Sequence, residues 1–337
     1  MAIFFAFLLS ATSGLAGDGK VAVEALGQWA NVFGGTERSF QCAIQAANAF
    51  HGIAKWEFNV SGRTIARGEQ QVIPAAGNPV MLDLKLAIPP VTDGVVMQAV
   101  LAVAVYRDGQ ENPAGKLEKK LWIFSDDPFH GRKEWLAQLS IGLFDPEKKT
   151  AEQLTESGVP FALIDNIDAL GEGTGLILIG EGVSLKDYRG LAEALLNLAS
   201  RGRVVLCLSL AGGEMLLPGM GDVDLPVPEM LTFARHDVIK MLDKRLDAGT
   251  WDRDDMAAMA SMKLKGERGP VSAEIVRGGS GWLWTEMNYE KRGRIIFCGF
   301  GIIDKWKSGP TARYLFASIL EDMDKRGGLT IQTTKED

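Results

Sequence analysis

The 337-residue chain is poor in the residues on which much enzyme chemistry depends: it has three histidines and three cysteines. Cys42, Cys207 and Cys298 lie far apart, form no CxxC pair and keep no metal-ligand spacing to His51, His130 or His236, so a zinc site is not expected. Each cysteine is flanked by apolar residues ("SFQCAIQ", "VVLCLSL", "IIFCGFG"), the setting of a reduced core thiol. Basic excess is also lacking. A formal charge of -7, with no long run of Lys and Arg, argues against nucleic acid as a partner. The longest apolar run near the start, Ala2 to Leu9 in "MAIFFAFLLSATSGLAG", is too short to span a bilayer core of ~30 Å. With Gly14-Leu15-Ala16 behind it, it reads as a signal peptide over residues 1–17 without the usual basic start. The expected location is therefore outside the cytoplasm, periplasmic or secreted.

What is present divides into two patterns, and a chain of this length is expected to hold more than one core. From residue 20 to 124 the sequence alternates and turns: "GIAKWEFNVSGRTIARGEQQVI", "PVMLDLKLAIP", "VVMQAVLAVAVYRDG" and "KLEKKLWIFS" read as strands with one buried and one wet face. Six to eight short strands predict an Ig-like β-sandwich. Trp56, Tyr106 and Trp122 could form a sugar-stacking platform there, although aromatics at strand spacing are more often core. "SDDPFHGRKEWLAQLS", residues 125–140, reads as the connection, with a short helix after its turn formers.

Beyond it the period changes. "SIGLFDP", "PFALIDNID", "GLILIGEG" and "RVVLCLSL" are apolar strands separated by helical segments, among them "SLKDYRGLAEALLNLASRG" with Ser184 as its expected N-cap and Gly202 as its stop. Strands apolar on both faces predict a parallel sheet covered by helices over residues 141–325, with a polar tail at 326–337. The remaining expectations are a helix at 236–246, a Met-packed helix in "DDMAAMASMKL" and a hairpin turning at "YEKRGR". "GEGTG" and "GGSG" match neither a dinucleotide fingerprint nor a P-loop, and no cofactor is expected.

The order of these segments, with "GLILIGEG", "GRVVLCLSLAGGE" and the closing "GRIIFCGFGIIDKWKSGPTARYLFASIL", resembles the class I glutamine amidotransferase-like fold. The form is divergent and similar to domains appended to bacterial β-galactosidase-type glycoside hydrolases, in which an Ig-like sandwich can precede such a domain. The resemblance implies a flavodoxin-like α/β domain with a nucleophile elbow after "RVVLCLSL". Centred on Ser209, that elbow has small residues two before and two after it (Cys207 and Ala211). Centred on Cys207 it would need Val205 in a tight turn, so Ser209 is the better match.

The family carries a His-x-Glu after a late strand; here the matching place reads "IIFCGFG", and no histidine follows His236. A hydroxyl without a base is a weak nucleophile. His236-Asp237 is a poor substitute, because neighbours on a helix point in different directions. Ser209 thus stands as a weak catalytic candidate and a stronger ligand-site one. Asp145, Asp165, Glu181, Ser209 and Glu214 are expected around the crevice outside the strand ends, where acidic side chains suit polyhydroxylated or cationic ligands better than phosphates. A competing role for these five is plain turn and helix-cap hydrogen bonding. The reading that follows is a non-catalytic binding or scaffolding protein, with a carbohydrate or an envelope protein as partner. Its rival is a cryptic amidase, esterase or glycosidase-related hydrolase using Ser209 or the acidic cluster.

Overall fold

A computed structural model describes residues 21–26, 30–216, 226–235, 237–246, 263–266, 269–274, 282–327 and 329, with backbone alone at 216, 263–266 and 269–274. The expected signal peptide, most of "LPGMGDVDLPVPE", His236 and most of the Met-rich stretch lie outside the described residues. Two compact units emerge: residues 1–28, 35–88 and 97–121 form one, and 29–34, 89–96 and 122–337 the other.

The first unit is built from β1 (Val21–Leu26), β3 (Glu37–Ala46), β4 (Gly52–Val60), β5 (Arg63–Val72), β6 (Val80–Ala87), β7 (Val96–Arg107) and β8 (Gly115–Phe124), while the short β2 (Asn31–Phe33) belongs to the second. One sheet runs β1-β3-β6, and another β8-β7-β4-β5. Alternation explains both. In β6 Leu82, Leu84 and Leu86 are buried while their neighbours face water, and Ala99, Leu101, Val103 and Val105 do the same in β7. The Lys119 ammonium of β8 sits over the Phe40 ring of β3, and the Gly115 backbone approaches Val21, so the two sheets face each other as the expected all-β part requires.

Trp56 and Tyr106 make no common platform. Trp56 shares the inward face of β4 with Ala54 and Phe58 and covers Gly68 on β5, whereas Tyr106 stands on the opposite face of the sheet under the Lys55 ammonium. Trp122 belongs to the second unit and packs on its core.

In the second unit, residues 122–124 of β8 pair parallel with β2. The segment 125–140 packs into the same unit: Phe129, Leu136 and Leu139 are buried, Ser125 exchanges a hydrogen bond with the Tyr314 hydroxyl, and α1 (Lys133–Gln138) is held by an Arg132–Glu321 ion pair. The rest comprises β9 (Gly142–Phe144), α2 (Lys149–Glu156), β10 (Ala162–Leu163), β11 (Ile177–Ile179), α3 (Leu191–Ser200), β12 (Val204–Leu208), β13 (Glu214–Leu216), β14 (Met230–Ala234) and α4 (Asp237–Leu242). After these come β15 (Lys263–Gly266), β16 (Gly269–Glu274), β17 (Trp284–Asn288), β18 (Arg294–Cys298) and α5 (Pro310–Gly327). A seven-stranded sheet runs β10-β9-β11-β12-β18-β17-β14. Its first five members are mutually parallel, and β17 and β14 join antiparallel. Counted along the chain, the five parallel strands stand in the order 2-1-3-4-5, with a topological switch point between β9 and β11.

The continuous apolar runs exist because both faces are covered. On one face Leu178, Leu206, Leu208, Ile296 and Cys298 pack with α1, α2, α4 and α5; on the other Ile179, Val205, Cys207 and Phe297 pack with α3. Cys207 and Cys298 therefore sit on adjacent strands but on opposite sides of the sheet.

Two local expectations are corrected. The helix predicted from Ser184 begins only at Leu191, because Gly190 takes a left-handed φ of 84° and interrupts the winding. Ser184 instead closes a turn, receiving the Asp187 amide on its hydroxyl and the Tyr188 amide on its carbonyl. The helix around residue 240 spans only Asp237–Leu242. Gly202 ends α3 as expected, at φ 97°, and the hairpin at "YEKRGR" forms between β17 and β18.

Candidate functional site

The C-terminal ends of β9, β11 and β12 bring Asp145, Glu181 and Ser209 together, while the other two predicted residues lie apart. Asp165 follows the edge strand β10 and is exposed; Glu214 opens β13 and is also exposed. The three central residues are buried, at 4%, 6% and 1% relative exposure respectively. In-register pairing causes the convergence. Ile179 lies opposite both Phe144 and Cys207, so Asp145 comes level with Gly180, and Glu181 with Ser209 one residue further on.

Asp145 is committed to the start of α2. Its Oδ2 accepts the Ala151 amide at 2.8 Å, and its carbonyl accepts the Lys148 amide at 3.0 Å. Its Oδ1 has no hydrogen-bond partner among the described residues and lies against Gly180, where an added Cβ would meet that oxygen at 2.5 Å. Burial raises the Asp145 pKa above the usual carboxylate value, against the pull of the Ala151 and Thr150 amides. The switch-point crevice between β9 and β11 is thus filled by a carboxylate lying on a glycine.

Glu181 reaches the other way. Its Oε2 accepts the Ile303 amide at 2.8 Å and its Oε1 the Asp304 amide at 3.0 Å, both on the turn after β18, while its own amide donates to the buried Thr150 hydroxyl at 2.9 Å. Burial, assisted by the nearby Asp304 charge, pushes its pKa up to about 7 in spite of the amides of Ile303, Asp304 and Ile302.

Ser209 has the backbone of an elbow. Its φ is +32°, its amide donates to the Cys298 carbonyl at 2.6 Å, and its carbonyl accepts the Gly182 amide at 3.1 Å. Its hydroxyl is buried with no hydrogen-bond partner among the described residues. His130 lies in a different setting, exposed with Nδ1 3.5 Å from Asp93, and His51 belongs to the first unit; the His236-Asp237 pairing lies outside the described residues. The Cys207 thiol is pushed up out of its ordinary range by burial first and by Cys298 second, which makes it a poor nucleophile.

Sequence reasoning missed Thr150, Gly180 and the amides of residues 303 and 304. The flanking glycines of "GEG" carried a signal: Gly180 accommodates Asp145, and Gly182, at φ 90°, starts the turn that donates to Ser209. The "GEGTG" loop is occupied by Arg203, whose guanidinium donates to the carbonyls of Gly171, Gly173 and Gly175. Among the described residues, no helix is long and apolar enough to cross a membrane.

No family model matches the chain, and no curated protein does. Among solved structures it is similar to a cycloisomaltooligosaccharide glucanotransferase of Paenibacillus sp. in complex with cycloisomaltoheptaose. That match has a TM-score of 0.27 and 10% identity and covers 58% of this chain and 28% of the other. A putative beta-galactosidase from Bacteroides fragilis gives a TM-score of 0.22 at 7% identity, over 58% of this chain and 29% of its own. The fibronectin(III)-like modules of Clostridium thermocellum CbhA give 0.19 at 13% identity, over 31% of this chain and 97% of theirs. These neighbours are thus a β-sandwich module and two carbohydrate-active proteins, of whose lengths this chain spans less than a third in the latter two.

Proposed function

We propose that this chain is an exported, non-catalytic binding or scaffolding protein whose second unit is a degenerate flavodoxin-like domain of the class I glutamine amidotransferase type, and whose partner is a carbohydrate or a protein of the cell envelope. The observation that carries the non-catalytic part is the Ser209 hydroxyl, which stands at the end of the fourth parallel strand, at positive φ, with no hydrogen-bond partner among the described residues. A serine at an elbow becomes a nucleophile only when a base takes its proton, and among the described residues none hydrogen-bonds this hydroxyl. The strand order 2-1-3-4-5 supports the domain type. The partner class and the location follow from the sequence resemblance and the apolar leader, by analogy.

A panel of neutral gluco-, galacto- and xylo-oligosaccharides titrated calorimetrically against the wild type, Asp165→Ala and Ser209→Ala tests the binding part. Binding that Asp165→Ala weakens at least fivefold fits a site on the strand-end rim. Binding unchanged in both variants moves the site elsewhere, and no binding across the panel removes carbohydrate as the partner.

The second reading, a cryptic hydrolase, has one observation in its favour, the positive φ of Ser209, which is the conformation that holds a nucleophile at an elbow. Amidase or esterase turnover that disappears in Ser209→Ala would establish it in place of the first.

A further inference from the structure

We propose that β14 is a self-pairing edge: two copies of this chain join their β14 strands antiparallel about a two-fold axis at Thr232, with Glu229 of each copy opposite Arg235 of the other. The inference stands on the sheet of the second unit and does not depend on the ligand reading above.

Among the described residues, the seven-stranded sheet ends in β10 on one side and β14 on the other. β10 is two residues long and is followed by Asp165, so it offers little ladder to a further strand. β14 is five residues long, and its sequence, MLTFA, holds no charge, proline or glycine. Its inner neighbour β17 is buried from Trp284 to Met287, whereas Met230, Leu231 and Thr232 of β14 are exposed. Proteins guard such edges with charges, prolines or bulges, because a bare strand is a template for another strand. Here these residues stand just outside the strand, with Pro228 and Glu229 before it and Arg235 after it.

The order of the residues makes the edge complementary to itself. Phe233 and Arg235 share one face, both lying against Trp282, with the Phe233 ring centroid 5.6 Å and the Arg235 guanidinium 4.8 Å from that ring. At the other end the Glu229 amide donates to the Asn288 carbonyl of β17 at 2.8 Å, which keeps this residue in line with the sheet. Antiparallel strands related by a two-fold axis perpendicular to their sheet set residues of one face opposite each other, so the axis passes through a residue. With the axis at Leu231, Glu229 would face Phe233; at Phe233, Arg235 would face Leu231. Only at Thr232 do the two charges meet, and they meet at both ends of the pair. Leu231 then faces Phe233 twice, Met230 faces Ala234 twice, and Thr232 faces its own counterpart. Opposite charges, aromatic-aliphatic pairs and paired threonines are the cross-strand combinations that stabilise neighbouring strands.

Sedimentation equilibrium of the full chain at pH 7 and low ionic strength, where exposed charges are least screened, tests the pairing. A contact one strand long is at the small end of specific interfaces, and a dimer with a Kd of about 10–100 μM is expected for the wild type. Glu229→Arg sets arginine against arginine at both ends, and Arg235→Glu sets glutamate against glutamate. Each alone should weaken association about tenfold. Mixed in equal amounts, the two variants meet with opposite charges at both ends, and a heterodimer should form within about threefold of the wild-type affinity. A wild type that is monomeric to about 500 μM overturns the proposal and leaves the edge to a strand of another protein. Single variants that associate like the wild type, or a mixture no tighter than its components, overturn it as well. Should Arg235→Glu fail to fold, disulfide trapping decides, because the three native cysteines are buried. Directly opposite Cβ atoms lie ~4.5–5.5 Å apart and diagonal ones roughly 7 Å, so Thr232→Cys should oxidise to a covalent dimer about tenfold faster than Leu231→Cys. A rate for Thr232→Cys no faster than that for Leu231→Cys overturns the pairing.

Discussion

Glu181 and Glu286 are buried to nearly the same degree in the same α/β unit, at 6% and 5% relative exposure, yet they titrate in opposite directions. Glu286, on β17, accepts a charge-assisted hydrogen bond from Arg294 at 2.7 Å, and Asp322, Arg326 and Asn288 complete a network around it. Burial works to raise its pKa, but the Arg294 hydrogen bond and charge, with Asn288 and Arg326, outweigh that and hold it below the usual carboxylate range. Among the described residues Glu181 has amides and no cation partner, and burial prevails. Burial sets the size of the stakes and the partner sets the sign. One end of the sheet carries a fixed ionic clasp, and the other carries a group that can change its charge near neutral pH.

The largest expected effect comes from breaking the clasp. Arg294→Met leaves the Glu286 and Asp322 carboxylates without their buried cation and should cost about 3–5 kcal/mol in chemical denaturation at pH 7. The wild-type clasp stabilises above the unfolded carboxylate value and is lost as pH falls through the lowered Glu286 value, so the cost of the variant should shrink in acid. A loss below about 1 kcal/mol would place the ion pair in solvent rather than in the core.

At the other carboxylate the sign reverses. Wild-type stability should decline by roughly 3 kcal/mol between pH 4.5 and 8 on account of Glu181, and Glu181→Gln should remove that slope whatever its absolute stability. Equal slopes in the two proteins, followed by denaturant melts at each pH, would assign the titration to another group.

Gly180→Ala comes next, because its Cβ would press on Asp145 within the crowded strand ends. A cost of about 1–3 kcal/mol is expected, measurable as a lowered denaturation midpoint. Ser209→Gly is the smallest change and runs the other way. It relieves a positive φ and removes a buried hydroxyl without a partner, and should stabilise by about 1 kcal/mol.

These residues differ in how far the sequence announces them. The all-β and α/β halves were readable because "VMLDLKLA" alternates and "VVLCL" does not, and a two-residue period against an unbroken apolar run is a direct image of one covered face against two. The small residues around Ser209 stand where the chain turns at positive φ, and the hairpin was readable from its turn residues. The start of α3 was not, because Ser184 carries the chemistry of an N-cap and only the left-handed Gly190 six residues on decides that the helix waits. The role of Glu181 was hidden for a different reason: its partners are backbone amides at residues 303 and 304, and an amide has no letter in the sequence. Placing an acidic residue at a strand end is a local inference. Knowing that it turns inward to a distant loop requires the register of four strands.

The proposal that Ser209 carries no nucleophilic chemistry is most directly tested by treating the native protein with a fluorophosphonate serine-hydrolase probe and measuring intact mass, with Ser209→Ala in parallel. The unpartnered, buried hydroxyl predicts no adduct on the wild type beyond that on the variant. A stoichiometric adduct mapped to Ser209, and absent from Ser209→Ala, would mean that a base reaches this serine and would contradict the non-catalytic proposal.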